Sequence, residues 1–328
     1  MSSQMNAWAD SPADRRADGD TRWVLPRGTA GGEGWDLAVT DARPGWRHTS
    51  LRTATLTGSA ERVLDAGGWE HIVVPLSGGV HVTVRTPDGT THEAPLEGRA
   101  DVFAGPTDVA YAPAGSRITV RAAADHARVA VAGALVPTGA AAGGARAFRR
   151  LGAAQVPVER RGAGGASREV RNFGTPAVLD ADAIIACEVV TPAGNWSSWP
   201  PHKHDAEHPG QETALEEIYY FETRSTDPRG ADPVGYQRVY ASDPGRPIDV
   251  LAEVRTGDAV LVPHGWHGPS MAAPDAHLYY LNVMAGPGPE RAWLICDDPA
   301  HAWVRDTWRD QPFDGRLPLS GPASGGTR

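Results

Sequence analysis

From Trp23 onward the chain alternates short apolar runs with turn-forming residues. Over 79–86, Val80, Val82 and Val84 alternate with His81, Thr83 and Arg85. A period of two puts the valines on one face and the polar residues on the other, the pattern of a half-buried strand. PDGT at 87–90 then predicts a hairpin turn. Runs at 71–76, 108–113, 117–123 and 127–135 complete a first set of strands. A second set lies at 183–192, 217–222, 236–241, 249–254, 258–263 and 278–285. Short strands at this spacing, with almost no helical periodicity, predict an antiparallel sandwich or barrel. In each set an apolar strand runs into a proline-glycine turn, AYAPAGS at 110–116 and VLVPHGW at 260–266. A duplicated β-barrel is the economical reading.

The punctuation divides the chain further. Residues 1–20 are polar and broken by Pro12 and Gly19, which predicts a disordered or loosely attached tail. A first barrel is expected over 21–145 and a second over 176–310. Between them, 146–175 is rich in Gly, Ala and Arg and reads as a crossover with one short strand at its centre. Arg149, Arg150, Arg160 and Arg161 read there as solvated linker charge. The Pro- and Gly-rich stretch 311–328 is expected to lie along the surface or fray.

Composition narrows the class. Apolar residues make up 41% of 328, enough to bury real cores, so wholesale disorder is not expected. A net charge of -9 disfavours nucleic acid, which needs a basic face. No apolar run approaches a membrane span and no secretory h-region is visible. Cys187 and Cys296 are too few for a disulfide framework and lack a metal or redox spacing, so a cytosolic compartment is expected.

Candidate chemistry is concentrated in GNWSSWPPHKHDAEHPGQETALEEIYYF, residues 194–221. His202 and His204 are two apart, so on a strand both face one side and Lys203 the other. Glu217, Tyr219 and Phe221 share one face of the next strand, with Glu216 on the opposite parity. His267, in GDAVLVPHGWHG at 257–268, supplies a third imidazole. His202, His204, Glu217 and His267 together suit a divalent metal with open positions for water or substrate. Zn(II), Mn(II), Fe(II) and Ni(II) all fit these donors. His264 competes with His267, and Glu216 with Glu217. His208 is expected to be exposed, and His71, His81, His92, His126, His277 and His301 to be ordinary polar residues.

The two blocks resemble the HxH…E and G…PxG…H motifs of the cupin superfamily, although twelve residues separate His204 from Glu217 where common cupins have three or four. GNWSSWPPHKHD, LEEIYYF, GYQRVY, PHGWHG and LYYLNVMAGP together look like the 5-deoxy-glucuronate isomerase family of myo-inositol catabolism, and the long loop after HKHD agrees with it. That family is similar to the 4-deoxy-L-threo-5-hexosulose-uronate ketol-isomerase of pectin breakdown. The resemblance implies an all-β bicupin of two antiparallel jelly-roll barrels, with the metal, Zn2+ or Mn2+ foremost, in the second. It implies ketol isomerisation of 5-deoxy-D-glucuronate to 5-dehydro-2-deoxy-D-gluconate. Asp205, Glu216, Tyr219, Tyr236 and Tyr280 are then candidates for moving the proton. Arg238 is the preferred partner for the substrate carboxylate, with Gln237 beside it and Lys203 as alternate. A sugar acid is the expected partner, without nucleic acid or membrane, and self-association through sheet edges is compatible with the scaffold. A metal-dependent cupin dioxygenase and a non-catalytic sugar-binding bicupin are the rival readings.

Overall fold

A computed structural model of the chain describes residues 17–137 and 146–319. Every strand pairing in it is antiparallel, and the only α-helix among the described residues is Val304–Thr307. The first half forms a nine-stranded curled sheet. Thr49–Thr57, Trp69–Arg85, Val109–Ala112 and His126–Leu135 are its inner strands. Val73, Val80, Val82, Val84, Val129 and Val131 fill its interior. The predicted hairpin at 87–90 joins Trp69–Arg85 to Thr91–Arg99. The runs expected at 71–76 and 79–86 are one strand, bent where the register shifts between Gly78 and Val80. Gly78 has φ +71, and a Cβ there would lie 2.7 Å from the His126 carbonyl oxygen. Only glycine lets the strand turn there.

The second half is a pair of seven-stranded sheets. One carries Arg168–Gly174, Ile185–Thr191, Ala276–Ala285, Glu216–Ser225 and Ala259–Val262 in that spatial order. The other carries Asp249–Val254, Gly235–Tyr240, Trp266–Ala272, His202–Lys203 and Cys296–Asp297. This is the all-β bicupin architecture expected. Among the described residues no helix is long and apolar enough to cross a membrane.

Segment boundaries differ from the expectation. Residues 146–175 hold three strands, Arg149–Leu151, Val158–Arg161 and Arg168–Gly174, and the last is buried along its whole length. The sequence pattern hid it because Arg168, Glu169 and Arg171 are buried charges in a stretch whose composition reads as linker. Val24–Leu25, placed in the first barrel by sequence, pairs instead with Ala259–Val262 of the second half. Of the tail expected over 1–20, residues 1–16 lie outside the described residues, and Ala17–Gly19 pairs with Asp249–Val254. Of 311–328, residues 320–328 lie outside the described residues. Before them, Arg316 donates to the Ala193 carbonyl at 2.9 Å and Leu317 is buried.

A reciprocal clasp joins the halves. The Glu216 carboxylate accepts from the backbone N–H groups of Arg47 (3.1 Å), His48 (2.7 Å) and Thr49 (2.7 Å), and from the Thr49 hydroxyl (2.9 Å). In the opposite sense, Glu70 accepts from Asp182 (2.9 Å), Ala183 (2.6 Å) and Ile184 (2.6 Å), with the Tyr111 hydroxyl at 2.5 Å. Each glutamate therefore fixes the entry to a barrel strand of the other half. Hydrogen bonds to a charged group contribute about 1.5–3 kcal/mol each before non-additivity, so the pair adds to the cohesion of the core shared by the two halves.

Candidate metal centre and active site

The long loop after His204 delivers its glutamate by closing on itself. Leu215 N–H donates to the His204 carbonyl at 2.7 Å, so ten intervening residues leave and return to nearly the same point. Inside the loop, His208 and Glu212 bond to each other through both backbone groups. The Glu212 carboxylate accepts from Lys203 Nζ at 2.6 Å and from the backbone N–H groups of Asp205 and Ala206. The strand Glu216–Ser225 then starts beside His204, and its alternation turns Glu217 inward. From the neighbouring sheet, His267 pairs directly across from His202.

Ligand atoms of His204, Glu217 and His267 all lie within 4.8 Å of one another, and all three residues are buried. Glu217 Oε2 lies 3.0 Å from His204 Nε2 and 3.1 Å from His267 Nε2. The half-buried His202 ring packs 4.6 Å from the His267 ring. All three imidazoles are oriented alike. Nδ1 of His202, His204 and His267 meets the carbonyls of Pro200, Leu215 and Gly265, each at 3.2 Å. A carbonyl can only accept, so each Nδ1 carries hydrogen and each Nε2 is the atom available to a metal.

The electrostatics fit a cation. Both nitrogens of His204 face acceptors, which requires either an imidazolium or a metal in place of the Nε2 proton. Burial alone would lower the His204 pKa, but the hydrogen bond and charge of Glu217 raise it. Burial likewise opposes ionisation of Glu217, yet the two histidines hold its carboxyl down at about 2. Burial, then the charges of His267 and His204, push His202 well below its ordinary value, leaving a neutral ligand. His267 Nε2 is buried, within 3.1 Å of Glu217 but without an aligned hydrogen bond. The Nε2 atoms of His204 and His267, the latter orphaned, and the Glu217 carboxylate make a donor set for a divalent ion, with the His202 ring beside His267.

A cavity of ≈ 290 Å³ opens beside these groups, at the small end of the ~300–1,000 Å³ range of ligand sites. Glu217, His202, Tyr219, Tyr280, Ser198 and Asn282 form its polar wall. The Ser198 hydroxyl stands 3.1 Å from both the Tyr219 and Tyr280 hydroxyls. Ser198 has φ +47, and a Cβ at Gly268 would lie 1.9 Å from its carbonyl oxygen, so glycine there is required by the close approach.

The model of the KduI/IolB family matches residues 24–304. The chain belongs to the KduI/IolB family. It is 36% identical over 288 residues to a Geobacillus kaustophilus protein named 5-deoxy-glucuronate isomerase, covering 88% of this chain and 96% of that one. A relative of the same name from Halalkalibacterium halodurans is 36% identical over 244 residues, covering 72% of this chain and 80% of the relative. Among solved structures, an IolB-like protein from Salmonella typhimurium superposes with a TM-score of 0.74 at 29% identity, covering 86% of this chain and 99% of that one. Lactobacillus farciminis oxalate decarboxylase superposes with a TM-score of 0.55 at 12% identity, covering 88% and 90%, a likeness of fold alone.

Within this KduI/IolB chain the sequence candidates separate into two groups. His202, Glu217, Tyr219 and Tyr280 line the cavity, with His204 and His267 behind Glu217. The others are engaged elsewhere. Glu216 is consumed by the inter-half clasp. Asp205 accepts from Lys203 (2.9 Å), Ser242 (3.0 Å) and the Gly265 N–H (2.8 Å), and so steadies the turn whose carbonyl orients His267. Lys203 is spent on Asp205 and Glu212 and lies over the Trp266 ring. Arg238 pairs outward with the exposed Asp249. Gln237, on the opposite parity, is fully buried and accepts from the Ser270 hydroxyl. Tyr236 donates to Glu253 at 3.2 Å. His264 sits in the turn away from the ligand group, next to Arg246 and Asp205 in its electrostatics.

The sequence reading missed Ser198, Asn282 and three arginines, Arg161, Arg168 and Arg305, which also line the cavity. Arg161, expected to be solvated linker charge, forms part of that wall. Ser198 and Asn282 carry little signal beyond falling near HKH and within LYYLNVMA. Arg168 could have been suspected only by recognising 168–174 as a buried strand, whereas Arg161 and Arg305 come from separate segments.

Proposed function

We propose that this chain is a 5-deoxy-glucuronate isomerase, converting 5-deoxy-D-glucuronate to 5-dehydro-2-deoxy-D-gluconate in myo-inositol catabolism. The observation that carries the reading is one cavity bordered by the His/Glu ligand group, a tyrosine–serine–tyrosine hydroxyl cluster and cationic arginines. Relatives bearing this name over most of the chain support it.

Moving a carbonyl from C1 to C2 takes a proton from C2 and returns one to C1, takes the C2 hydroxyl proton and returns one to the C1 oxygen, and lets negative charge grow on the oxygens meanwhile. A divalent ion, Zn2+ or Mn2+ by donor type, held by His202, His204, Glu217 and His267, would supply Lewis acidity toward those oxygens. Glu217 stays ionised and committed to the ligand group, so it is not the base. Burial raises the Tyr219 pKa well above its ordinary value and that of Tyr280 to about 12. Both phenols are therefore protonated at neutral pH and serve as donors to a substrate oxygen, with Ser198 linking them. Asp205 acts indirectly, by positioning His267 through Gly265. The first half serves as a scaffold, and among its described residues no metal-ligating group is found. The enzyme works in the cytosol on a sugar acid; its charge of -9 disfavours nucleic acid, and its sheet edges suit a homo-oligomer.

Anaerobic turnover tests the reading. The protein should isomerise 5-deoxy-glucuronate without oxygen, lose activity on chelation, and prefer this substrate to the pectin-derived 4-deoxy-L-threo-5-hexosulose-uronate. An oxygen requirement, or faster turnover of the ketouronate, would overturn it.

A further inference from the structure

We propose that Arg168 is the seat of the substrate's carboxylate, an anion subsite in the cavity bordered by Glu217 and His202. The proposal rests on the reading of that cavity as a sugar-acid site, and it assigns the anionic end of the substrate to a residue the sequence left unnoticed.

Three arginines are buried among the described residues: Arg99, Arg168 and Arg171. Arg99 is paired with Glu188. Arg171 has Glu169 at 2.8 Å and Glu188 at 3.7 Å, and donates to the Val102 and Gly105 carbonyls. Arg168, 8% exposed, has no carboxylate within ion-pair distance among the described residues. Its hydrogen bonds run from Nη1 to two carbonyls, Ala166 at 3.1 Å and Trp199 at 3.4 Å. The other two cavity arginines are already paired, Arg161 with Glu159 and Arg305 with Asp297.

A desolvated guanidinium without a counter-charge is unfavourable, because its lost hydration is not offset by an opposite charge. In a chain of net charge -9, carboxylates to neutralise it are not scarce. Arg161 and Arg305 add to the positive field instead. Burial, together with these two neighbours, lowers the Arg168 pKa to about 10, which still leaves it charged at neutral pH. A bound carboxylate would supply the missing charge and accept two parallel N–H bonds from the guanidinium fork.

The surroundings hold the guanidinium ready. Alternation along Arg168–Gly174 turns Arg168 and Val170 to the cavity. Gly162 has φ +78, and a Cβ there would lie 2.7 Å from Arg168 Nη1. Trp308 packs 5.8 Å from the guanidinium carbon. Arg238, by contrast, is satisfied on the outer surface.

The test compares an acid with its neutral amide. Calorimetric titration of the metal-loaded protein with D-glucuronate and D-glucuronamide should show the acid bound about 100-fold more tightly, the scale of two charge-assisted hydrogen bonds. Arg168→Gln should bring that ratio to within about threefold, and Arg168→Lys should restore part of it, since it keeps the charge without the fork. For 5-deoxy-glucuronate, Arg168→Gln should raise KM about 100-fold while kcat changes less than about tenfold, a split that general destabilisation would not give. Should Arg168→Gln fail to fold, Arg168→Lys carries the test by itself, since it keeps the charge without the fork and should narrow the acid/amide ratio without abolishing it. Unchanged acid/amide discrimination in the variants, or none in the wild type, overturns the proposal. A wild type that isomerises without discriminating loses the carboxylate seat and keeps the reaction. One that discriminates through Arg168 without isomerising keeps the seat and loses the reaction.

Discussion

His71 and Glu217 occupy matching places in the two halves. Each pairs with the residue just before the proline of its turn, His71 with Ala112 and Glu217 with Val262. On the other side, His71 pairs with Gly133 and Glu217 with Met284. The residues preceding them behave identically, since Glu70 and Glu216 clasp the opposite half. One step later the halves part. Glu217 is ionised among imidazoles, whereas burial and the charge of Arg52 push His71 down to about 3 and leave it neutral. Arg117 stands in the first half where turn spacing puts His267 in the second, and it is spent on exposed Asp65. Across the strands, Val73 and Val131 fill the first interior where Tyr219 and Asn282 border the cavity of the second. One scaffold thus supports a filled core or a reactive cavity. A handful of inward positions decides which, while the clasp between halves is kept in both.

The comparison breaks most visibly at the ligands. Replacing an imidazole removes a donor that its neighbours cannot replace, so His204→Ala should lower kcat/KM by at least about 1,000-fold, roughly 4 kcal/mol. Steady-state assays with added metal measure this, and activity within tenfold of wild type would contradict it. Smaller is the effect of the hydroxyl cluster. Tyr219→Phe and Tyr280→Phe should each cost about 100-fold in kcat, in the range of general-acid contributions, with metal content unchanged. Loss of metal in these variants would give the tyrosines a structural role instead.

The clasp should separate stability from chemistry. Glu216→Ala leaves the buried Thr49 N–H and the part-buried N–H groups of Arg47 and His48 without their acceptor, and should destabilise the chain by about 3 kcal/mol while the protein still loads metal. Glu70→Ala should do the same, although it lies in the other half. Urea unfolding and metal analysis check both, and a Glu216→Ala protein of full stability but no metal would return Glu216 to the site.

Acid should weaken the buried ion cluster. Burial opposes ionisation of Glu188, but Arg99 and Arg171 outweigh it and lower its pKa below 4.5. The folded chain thus binds this proton more weakly than the unfolded one. Its stabilisation is present above pH ~4.5 and drains as pH falls toward the lower folded value. The urea midpoint should therefore fall below pH ~4.5, and a Glu188→Gln variant, less stable at neutral pH, should show a shallower decline. Parallel slopes would assign the acid sensitivity elsewhere.

The strand rhythm, the duplicated fold and the gathering of His204, Glu217 and His267 were legible because alternation and ligand spacing are local signals. Tyr219 was legible by parity with Glu217. The remainder depended on contacts that sequence does not encode locally. Glu216 looked catalytic until its carboxylate was found on the backbone of residues 47–49. Asp205 and Lys203 looked like cavity residues but close the loop on Glu212 and Gly265. Arg168 was hidden because a buried strand rich in arginine reads as linker. Its environment is set by Gly162, Trp199 and Arg305, which reach it from separate segments.

Metal content per chain, measured in wild type, Glu217→Ala and His71→Ala purified side by side, separates the roles of the two halves. About one divalent ion is expected in wild type and in His71→Ala, and almost none in Glu217→Ala. Equal content in all three, or loss from His71→Ala alone, would contradict that separation.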